Sequence, residues 1–278
     1  MKIYTHDDCL RHSVPMDHPE CSARLSVVLE HLRQTGFTDD HPVLSAPAIP
    51  RECELQAHSP GYLTHLEGQE AAQGLVALDA DTWLGLHSLA ASKYAAGAVW
   101  QGVQDVVAGD DQRVFCAVRP PGHHAEKDTA MGFCLLNSVA IAAINALSLP
   151  SIDRVAVLDF DVHHGNGTVE MCRDYPEILV CSSFQHPYYP HRQHDVVQPN
   201  IVNTPLPAGS CGADFLRAMD IDWWPAIARH KPDIILISAG FDAHRDDPLA
   251  QCQWLDADFR CITEQIVAAA KQFARGRV

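Results

Sequence analysis

A chain of 278 residues with 47% apolar content can bury a sizeable core, and a formal charge of -15, from 20 Lys+Arg against 35 Asp+Glu, argues against a general binder of nucleic acid or of anionic membranes. The acidic balance suits cationic partners such as lysine-rich tails or polyamines, though many acidic proteins bind neither. MKIYTHDDC at the N-terminus holds no apolar signal core, no run approaches about 18 apolar residues, and the ten cysteines stand without a C-x-x-C pair, so they read as reduced thiols of a cytoplasmic protein.

In chain order the patterning predicts a strand at Lys2–Thr5, helices at Ala23–Gln34 and His87–Ala108, a strand at Arg113–Val118 and a helix at Phe133–Ala146. Strands at Arg154–Asp159 and Ile178–Phe184 follow, then a helix at Asp214–Arg229, a strand at Asp233–Ser238 and a helix at Asp256–Ala274. The strand runs are continuously apolar, as parallel strands covered on both faces are. In the last helix Ile262, Ile266, Ala269 and Phe273 share one stripe. The order predicts a single-domain α/β fold with a mostly parallel central sheet and helices on both faces. No repeat, low-complexity stretch or Gly/Ser linker interrupts it. The Trp223-Trp224 pair reads as half-buried packing at a helix start, with an exposed contact patch as the alternative.

In such sheets ligands gather at the carboxyl ends of the strands. Those ends carry RPPGHHAEKDTAMGF after Val118, DFDVHHGNG after Leu158, QHPYYP after Phe184 and AGFDAHRDDP after Ser238. Asp161 and His163 are two apart and face the same way on an extended segment. Alone, D-x-H is most simply a capped turn. With Asp242 after another strand, it makes a three-ligand set for a divalent metal with an open position. His123 and His124 follow the stiff Pro120-Pro121-Gly122 turn. Buried imidazoles need partners for their second ring nitrogen, and Asp159 and Asn166 are a carboxylate and an amide on the neighbouring loop. An Asp partner favours imidazolium more than an Asn partner does, so the two histidines should differ in basicity.

RPPGHHAEKDTAMGFCLLNSVAIAA, VLDFDVHHGNGT and SAGFDAHRDDPL, in this order and from HPECSARL onward, resemble the zinc-dependent histone deacetylase family, which includes bacterial histone-deacetylase-like amidohydrolases and acetylpolyamine amidohydrolases. The resemblance implies an arginase/deacetylase fold over residues 1–278 and one catalytic Zn2+ on Asp161, His163 and Asp242. It implies tandem catalytic histidines His123 and His124, paired with Asp159 and Asn166 respectively, with His124 the main general base and acid. Asn166 in HGNG follows the class II pattern. A structural K+ would use Asp159, Asp161, His163 and Ser182. Gly132 and Phe133 would line an acyl-lysine tunnel, with Tyr189 opposite where Phe is usual, and Arg24 would sit near an internal acetate channel. His164 is left with a structural or supporting role. Arginases share the fold but carry D-x-H-x-D for two Mn2+. Here the fifth position is Gly165, which favours one metal and an amide substrate.

The expected reaction is hydrolysis of an N-acyl amide such as acetyl-lysine, releasing acetate and a free amine. Polyamine-selective members carry a Glu after the DP dipeptide; Leu249 stands there, which favours acyl-lysine over acetylpolyamines. The expected partner is therefore an acylated small amine or an acetyl-lysine side chain, with no nucleic acid and no membrane, and with oligomeric state open. The compact chain suits a bacterial member. Family members also carry a Gly-Gly-Tyr motif whose tyrosine donates to the oxyanion. Its place falls just beyond Val278, so the domain is expected to be C-terminally incomplete. For the 278 residues alone the expectation is Zn2+ binding with weak turnover, a loss of about 10²–10³ in rate. At the extreme this becomes a zinc-binding pseudoenzyme that recognises acylated amines.

Overall fold

The computed structural model describes residues 1–70 and 74–278. The chain divides into two compact units, Met1–Asn145 and Ala146–Val278. In the first, β1 (Lys2–Thr5) is followed by α1 (Asp7–Arg11), α2 (Ser22–Gln34), α3 (Phe37–Asp40), β2 (Val43–Ser45), α4 (Arg51–Ala57) and α5 (Pro60–Glu70). Then come β3 (Val76–Ala77), β4 (Trp83–Leu84), α6 (Ser88–Ala108), β5 (Val114–Cys116) and α7 (Ser138–Ala146), which runs into the second unit. There β6 (Val155–Asp159), α8 (Asn166–Cys172), β7 (Ile178–Gln185), β8 (Ile201–Leu206), α9 (Gly212–Ala218), a π-helical turn (Met219–Trp223), α10 (Trp224–His230), β9 (Ile234–Ser238) and α11 (Asp256–Phe273) complete the order.

Parallel pairing dominates. The first unit holds the ladder β2-β1-β5, with β3 and β4 forming a small antiparallel pair, and the second holds β8-β7-β6-β9. Every residue of β6 and β7 is buried, which is why each opens in the sequence on an apolar run, VAVL and ILVC. Beneath the second ladder Phe215, Trp223, Trp254, Ile262 and Ile266 build one continuous core with the strand side chains. Trp223 is fully buried and donates from Nε1 to Thr204 Oγ1 at 3.1 Å, and Trp224 packs against the same core.

Two helices differ from their sequence pattern for identifiable reasons. α7 begins at Ser138 because Gly132 and Phe133 hold φ of 55° and 67°, outside any right-handed helix. Asn137 then caps it, its Oδ1 accepting from the Ala140 N–H at 3.0 Å. The stretch expected as one helix over 214–229 is α9 and α10 joined by the π turn. Pro225, in the first turn of α10, has no N–H with which to continue the ladder. β8 went unread because its polar Asn203 and Thr204 and its Pro205 break the apolar run. As a terminal strand of the ladder it tolerates the proline.

No disulfide joins any of the ten cysteines. Burial pushes the thiols of Cys116 and Cys172 up to about 12 and that of Cys252 up to about 11, and it raises Cys9, Cys53 and Cys181 as well.

The first unit also buries two neutral histidines. His58 accepts the Asn137 N–H at Nε2 (3.0 Å), and its Nδ1 lies 3.3 Å from the Lys127 carbonyl, to which it donates. His12 Nδ1 lies 2.7 Å from Ser88 Oγ. Burial depresses both rings to about 4. Their folded values lie below the unfolded one, so above pH 6.5 neither state is protonated and the two groups have no effect. As pH falls from about 6.5 to about 4 the unfolded chain takes up protons that the folded chain refuses, and stability drops. Urea unfolding followed between pH 7 and pH 4 should show this decline. In His58→Gln the slope should flatten by about one proton, or about 1.4 kcal/mol per pH unit. An unchanged slope would show that His58 is not excluded from protonation in the folded state.

Candidate active site

β6 and β9 are hydrogen-bonded neighbours, with Asp159 level with Ser238. The segments leaving their carboxyl ends therefore start side by side, one bearing Asp161 and His163 and the other Asp242. His163 Nδ1 lies 3.1 Å from Asp161 Oδ1 and 2.9 Å from Asp242 Oδ2. One ligand atom from each of the three residues falls within 4.8 Å of the others, and among the described residues this is the one such cluster of His, Cys, Asp and Glu side chains.

Main-chain bonds hold the cluster in shape. Asp159 Oδ1 accepts the Asp161 N–H at 3.2 Å, Asp161 Oδ1 accepts that of His163 at 2.9 Å, and Asp242 Oδ1 accepts that of Val162 at 3.0 Å. Gly240 passes so close that a Cβ there would fall inside the Asp161 carboxylate. Burial pushes the His163 ring down, but hydrogen bonds and charge from Asp161 and Asp242 more than offset it and lift the ring to about 10. Burial, then the Asp161 charge, pushes Asp242 above the usual carboxylate range. Two crowded carboxylates and an imidazole nitrogen that already draws positive charge are the donor chemistry of a divalent-cation site. The ligand count matches zinc centres with three protein ligands and an open position.

Asp159 and Ser182 face each other across β6 and β7, and both are fully buried. Ser182 Oγ accepts the Gly165 N–H at 3.1 Å, and the Asp159 carbonyl accepts from Ser183 Oγ at 3.5 Å. Of the four residues expected to hold K+, Asp159 and Ser182 are thus cross-strand partners, and Asp161 and His163 follow the end of β6. Asn166 is fully buried as the first residue of α8. His164, which the sequence left unassigned, is buried with its Nε2 2.9 Å from Asn203 Oδ1.

An aromatic pair flanks His163. Tyr189, expected as a tunnel wall, lies edge-on to His163 with ring centroids 5.9 Å apart. Tyr188, which sequence reasoning passed over, stacks on the same ring at 5.7 Å and donates to the Leu249 carbonyl at 2.7 Å. Only the doubled aromatic in PYYP hinted at it. Leu249 is half-buried, and its N–H donates to Asp247 Oδ1 at 2.9 Å.

In the first unit His123 and His124 are both buried, with ring centroids 3.9 Å apart. Asn137 Nδ2 donates to the carbonyls of His123 (3.4 Å) and Ala125 (3.1 Å), while His58 receives the Asn137 N–H. Asn137 lies inside the RPPGHHAEKDTAMGFCLLN stretch but was given no role there, and His58 lies outside the quoted stretches, since the roles of both depend on contacts far apart in the chain. Gly132 has positive φ, and a Cβ on it would fall inside the His124 ring. The Phe133 N–H donates to Thr82 Oγ1 at 3.0 Å, and its ring meets His18 edge-on at 4.7 Å. Arg24 is half-exposed, 3.9 Å from Glu20 Oε1. The buried arginine nearby is Arg119, whose guanidinium forks onto Glu20 at 2.9 and 2.7 Å and also reaches the carbonyls of Cys9, His12 and Glu20.

No helix among the described residues is long and apolar enough to cross a membrane. The histone deacetylase domain profile matches residues 18–278. The chain is 40% identical over 268 residues to an uncharacterized protein of Synechocystis sp., a match covering 93% of this chain and 86% of that protein. It is 33% identical over 269 residues to the histone deacetylase-like amidohydrolase of Pseudomonas aeruginosa, covering 94% and 70%. The crystal structure of the HDA15 HD domain matches with a TM-score of 0.90 and 28% identity, over 98% of this chain and 82% of that one. With the motifs, the α/β fold of parallel ladders and the three-residue donor cluster in agreement, the chain belongs to the histone deacetylase family.

Proposed function

We propose that the protein is a zinc-dependent amidohydrolase that removes the acyl group from an acylated primary amine, with acetyl-lysine as the preferred substrate type. The observation that carries this reading is the Asp161–His163–Asp242 cluster, with its ligand atoms within 4.8 Å of one another at the carboxyl ends of β6 and β9. Asp161, His163 and Asp242 would hold the zinc. When bound, zinc supplies the positive charge that polarises an amide carbonyl and acidifies water.

The proton chemistry falls to the tandem histidines. His124 accepts a proton at its ring nitrogen as water attacks and returns it to the departing amine, and His123 stabilises developing charge beside it. In this reading Asp159 and Asn166 serve the second ring nitrogens of His123 and His124. The carboxylate holds His123 toward imidazolium, and the amide leaves His124 freer to exchange its proton. By the family resemblance, Gly132, Phe133 and Tyr189 would line the path of the acyl-bearing chain. Leu249 offers no charge to a second ammonium, so the reading favours acyl-lysine over acetylpolyamines. The K+ assigned to Asp159, Asp161, His163 and Ser182 and the channel role of Arg24 rest on the family resemblance.

Two measurements test this. The purified protein should hold close to one zinc per chain, lost in Asp161→Ala and Asp242→Ala. Gly240→Ala should lower zinc affinity at least about tenfold, because its methyl displaces a ligand carboxylate. Zinc retained at full stoichiometry in all three variants would place the metal elsewhere. Release of amine from a fluorogenic acetyl-lysine peptide should be abolished by chelation and restored by zinc. His124→Ala should lower kcat by about 10²–10⁴ with zinc content unchanged. A zinc-loaded protein that binds the peptide without releasing amine would replace the hydrolase reading with that of a recognition module.

A further inference from the structure

Asn203 lies on β8 opposite Ser182 of β7, which in turn lies opposite Asp159 of β6. Its Nδ2 faces three main-chain carbonyls, those of Gln193 at 3.5 Å, His194 at 3.0 Å and Val196 at 3.2 Å. Three acceptors on one side fix the orientation of the amide, so Oδ1 is the atom 2.9 Å from His164 Nε2, and His164 must donate that bond. His164 directly follows His163, is almost fully buried, and sets its ring edge-on against Phe184 at 4.7 Å. The next residue, Gly165, donates its N–H to Ser182 Oγ at 3.1 Å. Two successive residues after the ligand are therefore pinned to two strands.

The other side of Asn203 has its own demand. The segment it holds contains Gln193, and both Gln193 and the nearby His191 sit at φ 59°. Left-handed geometry at such residues is strained and persists where surrounding bonds impose it. This segment follows Tyr188 and Tyr189, whose rings flank His163.

We propose that Asn203, acting through His164, is a positioning residue: it fixes the metal-bearing loop at His163 and ties that loop to the segment following the aromatic pair. Neither Asn203 nor His164 contacts substrate in this role. The inference rests on the zinc reading above.

The test is zinc affinity of the full chain by competition with a chelating dye, for the parent, Asn203→Ala, His164→Phe and the double variant, with circular dichroism verifying the fold. Each single variant should weaken zinc about tenfold. The double variant should weaken it no further, because the two residues act as one unit. His164→Phe keeps the ring packing against Phe184, so its affinity decides the matter should Asn203→Ala fail to fold. A parent that takes up no zinc would overturn the metal reading and this inference with it. A parent that binds zinc while a folded single variant binds it equally well, or while the two losses multiply, overturns the inference alone. So does an Asn203→Ala variant in which only the thermal midpoint falls.

Discussion

Repulsion between Asp161 and Asp242 is the constraint around which the second unit is organised. Two carboxylates about 4–5 Å apart at an effective dielectric near 20 repel by about 3–4 kcal/mol. Parallel pairing of β6 with β9 starts their two segments side by side, and the absence of a side chain at Gly240 lets them approach. Two main-chain N–H groups, those of His163 and Val162, then hold one oxygen of each carboxylate in place. His163 answers with a nitrogen shared between both carboxylates, and its basicity measures how strongly the pocket draws positive charge.

The first unit solves a different problem, which is to hold two adjacent imidazoles rigidly. Two buried imidazoles on consecutive residues cannot be fixed by their own backbone, so the restraint comes from outside. Asn137 grips the loop through its side chain and caps α7 through the same amide, and His58 takes up the Asn137 N–H. Arg119, at the base of this loop, is saturated by Glu20 and three carbonyls. A buried pair of this kind adds little net stability, but losing either partner strands a charge in the interior. Its contribution is to permit one loop path.

Much of this was legible in the sequence, and the reasons are physical. β6, β7 and β9 could be read because strands covered on both faces carry long apolar runs, and the Asp161, His163 and Asp242 cluster could be anticipated because strand ends in parallel sheets collect polar groups. The short helices α1, α3, α4 and α8 were not, since their periodicity is too brief to separate from loops. β8 hid behind Asn203, Thr204 and Pro205, and with it the residue that anchors His164. Tyr189 was named from the family resemblance, and nothing local in PYYP says that Tyr188 also meets the His163 ring. Asn137, His58 and Glu20 belong to contacts spanning tens of residues, and no local pattern encodes them.

The buried thiols bear on which of the chain's own groups a soft metal finds. Thiolate binds zinc more avidly than carboxylate, so ten cysteines would compete with an oxygen-rich site if their thiols ionised. Burial holds Cys116, Cys172 and Cys252 protonated at neutral pH, and a protonated thiol is a poor ligand. The hydrophobic core thereby withdraws these three thiols from metal binding, whereas Cys211 stays exposed at the surface.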